Sequence, residues 1–201
     1  MNVNAREAEI ALDSTQQVLF DELVQRGVAG QSLLEIGCGS GGLHQELLRA
    51  GASEAVGIEL ITDIVKKAEA RSHSLGLSDR ASYISGDFMQ YKGTLESADI
   101  VILDKVVHCY HDPQSLIRES AAKAKTLLAV AFPAPRPLLA ASMRVLSPIL
   151  RLFLPFRVKF TKPEQIRAWI RETGFERSFS QHTEMWHIEI YQRSTTPEEM
   201  L

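Results

Sequence analysis

Leu33-Leu34-Glu35-Ile36-Gly37-Cys38-Gly39-Ser40-Gly41-Gly42 is the stretch that decides the fold. Leu33, Leu34 and Ile36 suit a strand covered on both faces. Gly37, Gly39 and Gly41 or Gly42 permit a tight turn with close backbone approach to a ligand. A helix then starts near Leu43, and strand, glycine loop and helix in this order imply a nucleotide-cofactor site. The loop alone leaves the cofactor open. Gly37, Gly39 and Gly42 satisfy the dinucleotide pattern G-x-G-x-x-G, whereas Glu35, two residues ahead of Gly37, completes E-x-G-x-G-x-G.

Acids further along supply context. Val56-Gly57-Ile58-Glu59 reads as a second strand ending in a carboxylate about 20 residues beyond the loop, where such folds hydrogen-bond ribose hydroxyls. Glu59 is the candidate ribose ligand, and Leu60 beside it falls in the same site. Ala81 to Ser85 makes a third strand, followed by Gly86-Asp87-Phe88, an acid and a ring placed for adenine. Asp87 would accept from the exocyclic amine while Phe88 or a neighbouring apolar residue packs on the ring face. Any one of these acids alone reads equally well as a solvated strand-end carboxylate. Three of them in successive strands do not.

These motifs resemble those of the class I S-adenosylmethionine-dependent methyltransferases, from about Gln17 to Arg193. The resemblance implies S-adenosylmethionine as cofactor, bound by Glu35, Gly37, Cys38, Gly39, Gly41, Glu59, Leu60, Asp87, Phe88 and Asp104. A fourth match is Ala98-Asp99-Ile100-Val101-Ile102-Leu103-Asp104, running into Lys105-Val106-Val107-His108-Cys109-Tyr110-His111-Asp112-Pro113. The latter is similar to the V-L-H-H-x-x-D-P segment of many small-molecule methyltransferases. More narrowly, Asp104 to Tyr110, Ala131-Phe132-Pro133 and Phe156-Arg157-Val158 resemble magnesium-protoporphyrin O-methyltransferases and their relatives.

A nicotinamide enzyme fits less well, because it normally adds a sizeable substrate domain and 201 residues leave room for about one domain. After a helix from Pro163 to Glu172, Thr173-Gly174-Phe175 marks a stop. Strand-like runs at Phe175 to Gln181 and Met185 to Gln192 then form a hairpin. The resemblance makes this the family's terminal antiparallel pair. Helices are expected at Ser14 to Arg26, with Ser14 and Gln17 as a capping box, and at Gly41 to Ala50, Thr62 to Ser74 and Pro113 to Ala124. Strands at Ser32 to Ile36, Ala55 to Glu59, Ala81 to Ser85, Asp99 to Asp104 and Thr126 to Ala131 complete an α/β fold. It is a Rossmann-like, doubly wound, seven-stranded sheet, mostly parallel with a terminal antiparallel hairpin, in one domain over 1–201.

At 45% hydrophobic and 23% charged residues the composition is that of a globular protein with a sizeable core. The start lacks the basic and apolar regions of a signal peptide, and Cys38 and Cys109 have no disulfide or zinc spacing. A cytoplasmic protein with reduced thiols is the expectation. The segment 134–162 stands apart as an insert with six basic residues and no acid, leaving −9 for the rest of a chain whose net charge is −3. Arg144, Ser147, Pro148 and Arg151 share a narrow helical stripe, and leucines, Ile149 and Phe153 crowd the remaining arc. Three readings compete: a substrate lid, which is favoured, a core-covering helix pair, and an interfacial helix in peripheral contact with anionic membrane.

Methyl transfer from a sulfonium is an in-line displacement, so a carboxylate acceptor needs no base while a hydroxyl does. His108, Tyr110 and His111 are the candidate bases at the cofactor mouth. His108 matches the first histidine of V-L-H-H, and it reads as readily as a structural residue closing the strand. No ligand group elsewhere completes a metal site around His108, Cys109, His111 and Asp112. His182 and His187 are expected to alternate with Trp186 across the hairpin. The expected acceptor is a small molecule, apolar by the character of the insert. Nucleic acid is disfavoured by net negative charge and the lack of an N/D-P-P-Y/W motif. A non-catalytic S-adenosylmethionine sensor or partner subunit is the other class, since fold does not dictate function.

Overall fold

Buried apolar runs alternate with helices through residues 11–134 and 161–194, the residues that the computed structural model describes. In chain order they are α1 (Ser14–Gln25), β1 (Ser32–Ile36), α2 (Gly42–Arg49), β2 (Glu54–Glu59), α3 (Thr62–Ser74), β3 (Ala81–Ser85), α4 (Phe88–Tyr91), β4 (Ala98–Asp104), α5 (Pro113–Lys123), β5 (Ala124–Pro133), α6 (Pro163–Glu172), β6 (Phe175–His182) and β7 (Trp186–Arg193). One sheet holds all seven strands in the order β3-β2-β1-β4-β5-β7-β6. β1 to β5 pair in parallel, and β7 lies antiparallel between β5 and β6. The expected sheet and its terminal hairpin are both present.

Alternation along the central strands builds a core on each face. Val101 and Leu103 of β4 pack with Leu34, Val130, Phe132 and Tyr191, under Leu116 and Ile117 of α5 and Ile166 and Ile170 of α6. Ile100 and Ile102 face the other way, with Leu33, Ala129, Ile188 and Ile190, against Leu19 and Leu23 of α1 and Leu43 and Leu47 of α2. Covered on both sides, β4 is buried at every position but one. Strand order reverses between β1 and β4, so the loops that leave them diverge and open a crevice at their carboxyl ends.

One local expectation is corrected. The cap of α1 is Asp13, one residue earlier than Ser14: its Oδ1 accepts from the N–H groups of Thr15 and Gln16, and Gln16 Oε1 accepts from Asp13 N–H. Asp13 wins because an ionised acceptor is stronger than a hydroxyl at a helix N-terminus. The Asp-Pro pair at 112–113 likewise opens α5, Asp112 accepting from Ser115 N–H at 3.2 Å. The basic insert lies outside the described residues except for its ends at Ala134, Thr161 and Lys162. Among the described residues no helix is long and apolar enough to cross a membrane.

Candidate cofactor and methyl-acceptor site

The glycine loop turns directly off β1. Gly37 has φ 74°, a left-handed conformation open to glycine at little cost, and a Cβ there would lie 3.0 Å from Val106 Cγ2. The segment after β4 therefore crosses tight against the loop. Gly37 and Cys38 both donate to Ile58 O, and Gly39 N–H donates to Glu59 Oε2 at 3.2 Å. Glu59 Oε1 accepts from Ile61 N–H at 3.0 Å. Glu59 thus holds the loop against the end of β2, and each oxygen keeps a lone pair for ribose hydroxyls. Leu60 beside it is 70% exposed, an apolar side chain standing at the mouth. Cys38 instead turns inward, its thiol buried over Gly57 and its pKa pushed up by burial, Glu35 and Glu59. Its side chain is packing rather than a reactive group.

Asp87 caps α4 through Met89 N–H, and the same Oδ1 accepts the Tyr110 hydroxyl at 2.6 Å. Among the described residues its Oδ2 carries no hydrogen bond, which leaves it for an amine. Phe88 does not fit the role given to its ring. It is 2% exposed and lies in the core with Ile58 and Val101, so of the pair only the acid faces the site. Tyr110 is also reassigned. Burial and Asp87 push its hydroxyl pKa well above the ordinary range, so it is a donor that steadies Asp87 and a poor base.

Glu35, next to last in β1, and Asp104, the last residue of β4, lie on adjacent strands at the switch point. Glu35 is 1% exposed and takes a 2.5 Å hydrogen bond with His44 Nδ1. Asp104 Oδ2 accepts from Gln16 Nε2 at 3.1 Å, whereas its buried Oδ1 has no partner among the described residues. Burial raises the Asp104 pKa to about 6, countered by Lys105 and reinforced by Glu35 and Asp13. A buried carboxylate oxygen with nothing to accept from is costly, and a cationic ligand beside Glu35 and Asp104 would relieve it. The ammonium of a methionyl group fits that place, beside the turn at Gly37.

Lys105 follows with φ 57°, the one non-glycine residue of positive φ among the described residues. Its ammonium hydrogen-bonds Asp13, lies 3.7 Å from Asp104 Oδ2 and sits 5.6 Å from the Trp186 ring centroid. The start of α1 is thereby anchored to the end of β4. His108 meets Trp186 edge-on at 5.3 Å, its Nδ1 buried without a partner among the described residues and its pKa lowered by burial. His111 is exposed, with its ring 4.6 Å from that of Tyr110. His187 lies on the opposite face from Trp186, against Phe132 at 5.5 Å, as the strand alternation required.

Glu35, Glu59, Leu60, Asp87 and Asp104 all lie at or just beyond the carboxyl ends of β1 to β4, and His108 lies in the segment that follows β4. Sequence reasoning missed Gln16, Lys105, His44, Tyr83 and Trp186. His44 left one signal, since it shares the buried helical stripe of Leu47 and Leu48. Trp186 and Lys105 left none, because their partners are distant in sequence.

Residues 34–127 match the family model of a methyltransferase domain. Over 102 residues the chain is 30% identical to a ubiquinone biosynthesis O-methyltransferase of Actinobacillus pleuropneumoniae, covering 49% of this chain and 43% of that one. Over 61 residues it is 38% identical to a sterol 24-C-methyltransferase of Eremothecium gossypii, covering 30% of this chain and 16% of the relative. The chain spans less than half the length of these curated relatives. Its fold is similar to that of magnesium protoporphyrin IX methyltransferase from Synechocystis with bound SAH, with a TM-score of 0.70 and 22% identity over 95% of this chain and 93% of that one. The 3-2-1-4-5-7-6 sheet, with acids on β1, β2 and the turn after β3, is the fold of the class I S-adenosylmethionine-dependent methyltransferase superfamily, and residues 34–127 match its methyltransferase domain. S-adenosylmethionine is the cofactor of that superfamily.

Proposed function

We propose that this chain transfers a methyl group from S-adenosylmethionine to a small, apolar acceptor, with a hydroxyl or carboxylate oxygen the favoured nucleophile. The observation that carries the reading is the buried Oδ1 of Asp104, without a partner among the described residues and beside Glu35, an anionic niche next to a glycine turn. Glu35 and Asp104 hold the ammonium, Glu59 the ribose and Asp87 Oδ2 the adenine amine, while Leu60 covers the bound nucleoside. S-adenosylmethionine when bound supplies an electrophilic methyl on a sulfonium. The chain's own task is to align the acceptor behind that methyl and exclude water.

His108 is the base when the acceptor is a hydroxyl. Its imidazole stands at the end of β4 and is unprotonated at neutral pH because burial lowers its pKa. A carboxylate acceptor needs no such help. The names of the relatives, a quinone-pathway and a sterol methyltransferase, favour a lipophilic small molecule over nucleic acid. The apolar, basic composition of 134–162 supports a lid over such an acceptor, and with a lipophilic acceptor it also supports peripheral contact with anionic membrane.

Calorimetry with S-adenosylhomocysteine and NAD, followed by a metabolite pool with labelled methyl donor, tests the reading. Binding of the sulfur compound alone and label in an organic-soluble product are expected. NAD binding without S-adenosylhomocysteine binding would overturn it, and cofactor binding with no product from any pool would favour a sensor.

A further inference from the structure

We propose that His44 and Tyr83 are positioning residues for the cofactor, the last links of a buried hydrogen-bonded chain that holds Glu35 in place for the methionyl ammonium; this rests on the function proposed above. The chain begins at Arg71 of α3, whose Nη2 donates to Glu46 Oε1 at 3.0 Å and whose Nη1 donates to Gln45 Oε1. Gln45 Nε2 donates to Ala68 O at 2.9 Å and to the Tyr83 hydroxyl oxygen at 2.5 Å. Tyr83 lies 3.0 Å from His44 Nε2, and His44 Nδ1 lies 2.5 Å from Glu35 Oε2.

Donors and acceptors balance in one direction. With its oxygen taking the Gln45 proton, the Tyr83 hydroxyl has its own proton left for His44 Nε2. Nε2 as acceptor fixes the tautomer with hydrogen on Nδ1, and that hydrogen points at Glu35. Burial raises the Tyr83 pKa, which keeps the hydroxyl a donor.

Local geometry is built around this imidazole. A Cβ at Gly57 would lie 2.8 Å from Cys38 Sγ, 3.1 Å from Tyr83 Cδ1 and 3.2 Å from His44 Cε1. At Gly41 it would lie 2.6 Å from Gln45 Nε2 and 3.0 Å from His44 Cε1. Two glycines on different elements thus leave room for the ring directly beneath the cofactor loop. The sheet itself has no need of an acid here. Glu35 pairs with Gly57 and Ile102, where an apolar residue would pack without a buried polar network behind it. Buried polar pairs add little net stability over apolar ones, whereas a second layer of hydrogen bonds fixes the orientation of a ligand-binding group.

The test is a double-variant cycle read by calorimetry with S-adenosylhomocysteine on the full chain. Tyr83→Phe is expected to weaken binding about three- to tenfold and Glu35→Gln more than tenfold, with the double variant no weaker than Glu35→Gln alone. His44→Asn, whose amide N–H replaces Nδ1–H, should stay within about threefold of wild type, while His44→Ala loses more than tenfold. Should His44→Ala not fold, the Tyr83→Phe cycle decides. Losses that multiply in the double variant, or wild-type affinity in Tyr83→Phe, overturn the positioning role while leaving the proposed function intact. Failure of the wild-type chain to bind either S-adenosylmethionine or S-adenosylhomocysteine removes the function first.

Discussion

The Tyr110 hydroxyl donates to Asp87 Oδ1 at 2.6 Å, so the loop after β4 is tied to the acid that follows β3. This bond turns one of the three candidate bases into a cofactor-side residue. Tyr110→Phe should weaken S-adenosylhomocysteine binding by about 0.5–1.5 kcal/mol, the net worth of a hydrogen bond that orients its acceptor. Calorimetry reads this directly. A hundredfold loss of turnover on a hydroxyl acceptor at unchanged cofactor affinity would return Tyr110 to the chemistry.

Asp104 sets a pH dependence. Its folded pKa of about 6 lies above the ordinary 3.8, so the cofactor-free fold is favoured while the group is protonated and loses that advantage as pH rises from about 4 through 6. The full cost, reached above pH 6, is on the order of 3 kcal/mol. Asp104→Asn should therefore raise the unfolding free energy of the cofactor-free protein at pH 8 and change it little at pH 4, while weakening S-adenosylhomocysteine binding. Urea melts at the two pH values check the first half. Equal stability of variant and wild type at pH 8 would mean that Asp104 is not strained by its burial.

What the sequence revealed and what it hid follow from the range of the interactions involved. Leu33 to Gly42 is legible because a covered strand and a glycine turn are written in consecutive residues. The hairpin is legible because Gly174 ends α6 and the runs on either side of 183–185 alternate. Phe88 was misjudged since an aromatic ring after an acid looks the same in sequence whether it faces a ligand or, as here, the core. Ser14 and Asp13 compete for the same cap, and only geometry separates neighbours. The chain from Arg71 to Glu35 joins α3, α2, β3 and β1, and residues 39 apart, His44 and Tyr83, share no local pattern. Lys105 is strained for a reason visible only in three dimensions, since it reaches Asp13 some 92 residues earlier.

The basic insert makes demands of its own. Deleting Ser142 to Leu154 should leave S-adenosylhomocysteine affinity within a few-fold of wild type and abolish methyl transfer, because the acids proposed to take the cofactor all lie on β1, β2, β4 and the turn after β3. Normal transfer by the deletion variant would reduce the segment to packing. For membrane contact, Arg144→Glu with Arg151→Glu should weaken co-sedimentation with anionic liposomes by roughly 1 kcal/mol or more per charge, and added salt should act the same way. A wild-type chain that ignores such liposomes at low salt has no membrane role.

His108 carries the remaining acid–base question. Burial favours its neutral form, Nδ1 is without a partner among the described residues, and Trp186 meets its ring edge-on, so the imidazole is held beside that ring. His108→Ala should lower turnover on a hydroxyl acceptor by about 10²–10⁴-fold while S-adenosylhomocysteine affinity stays within about twofold. A base works only when deprotonated, and its pKa lies below the ordinary 6.5, so the acidic limb of the wild-type turnover profile should fall below pH 6.5. A carboxylate acceptor, already a nucleophile, should show neither the limb nor the loss. If the limb persists in His108→Ala with a hydroxyl acceptor, the proton leaves by another route and His108 is a wall residue that closes β4 against Trp186.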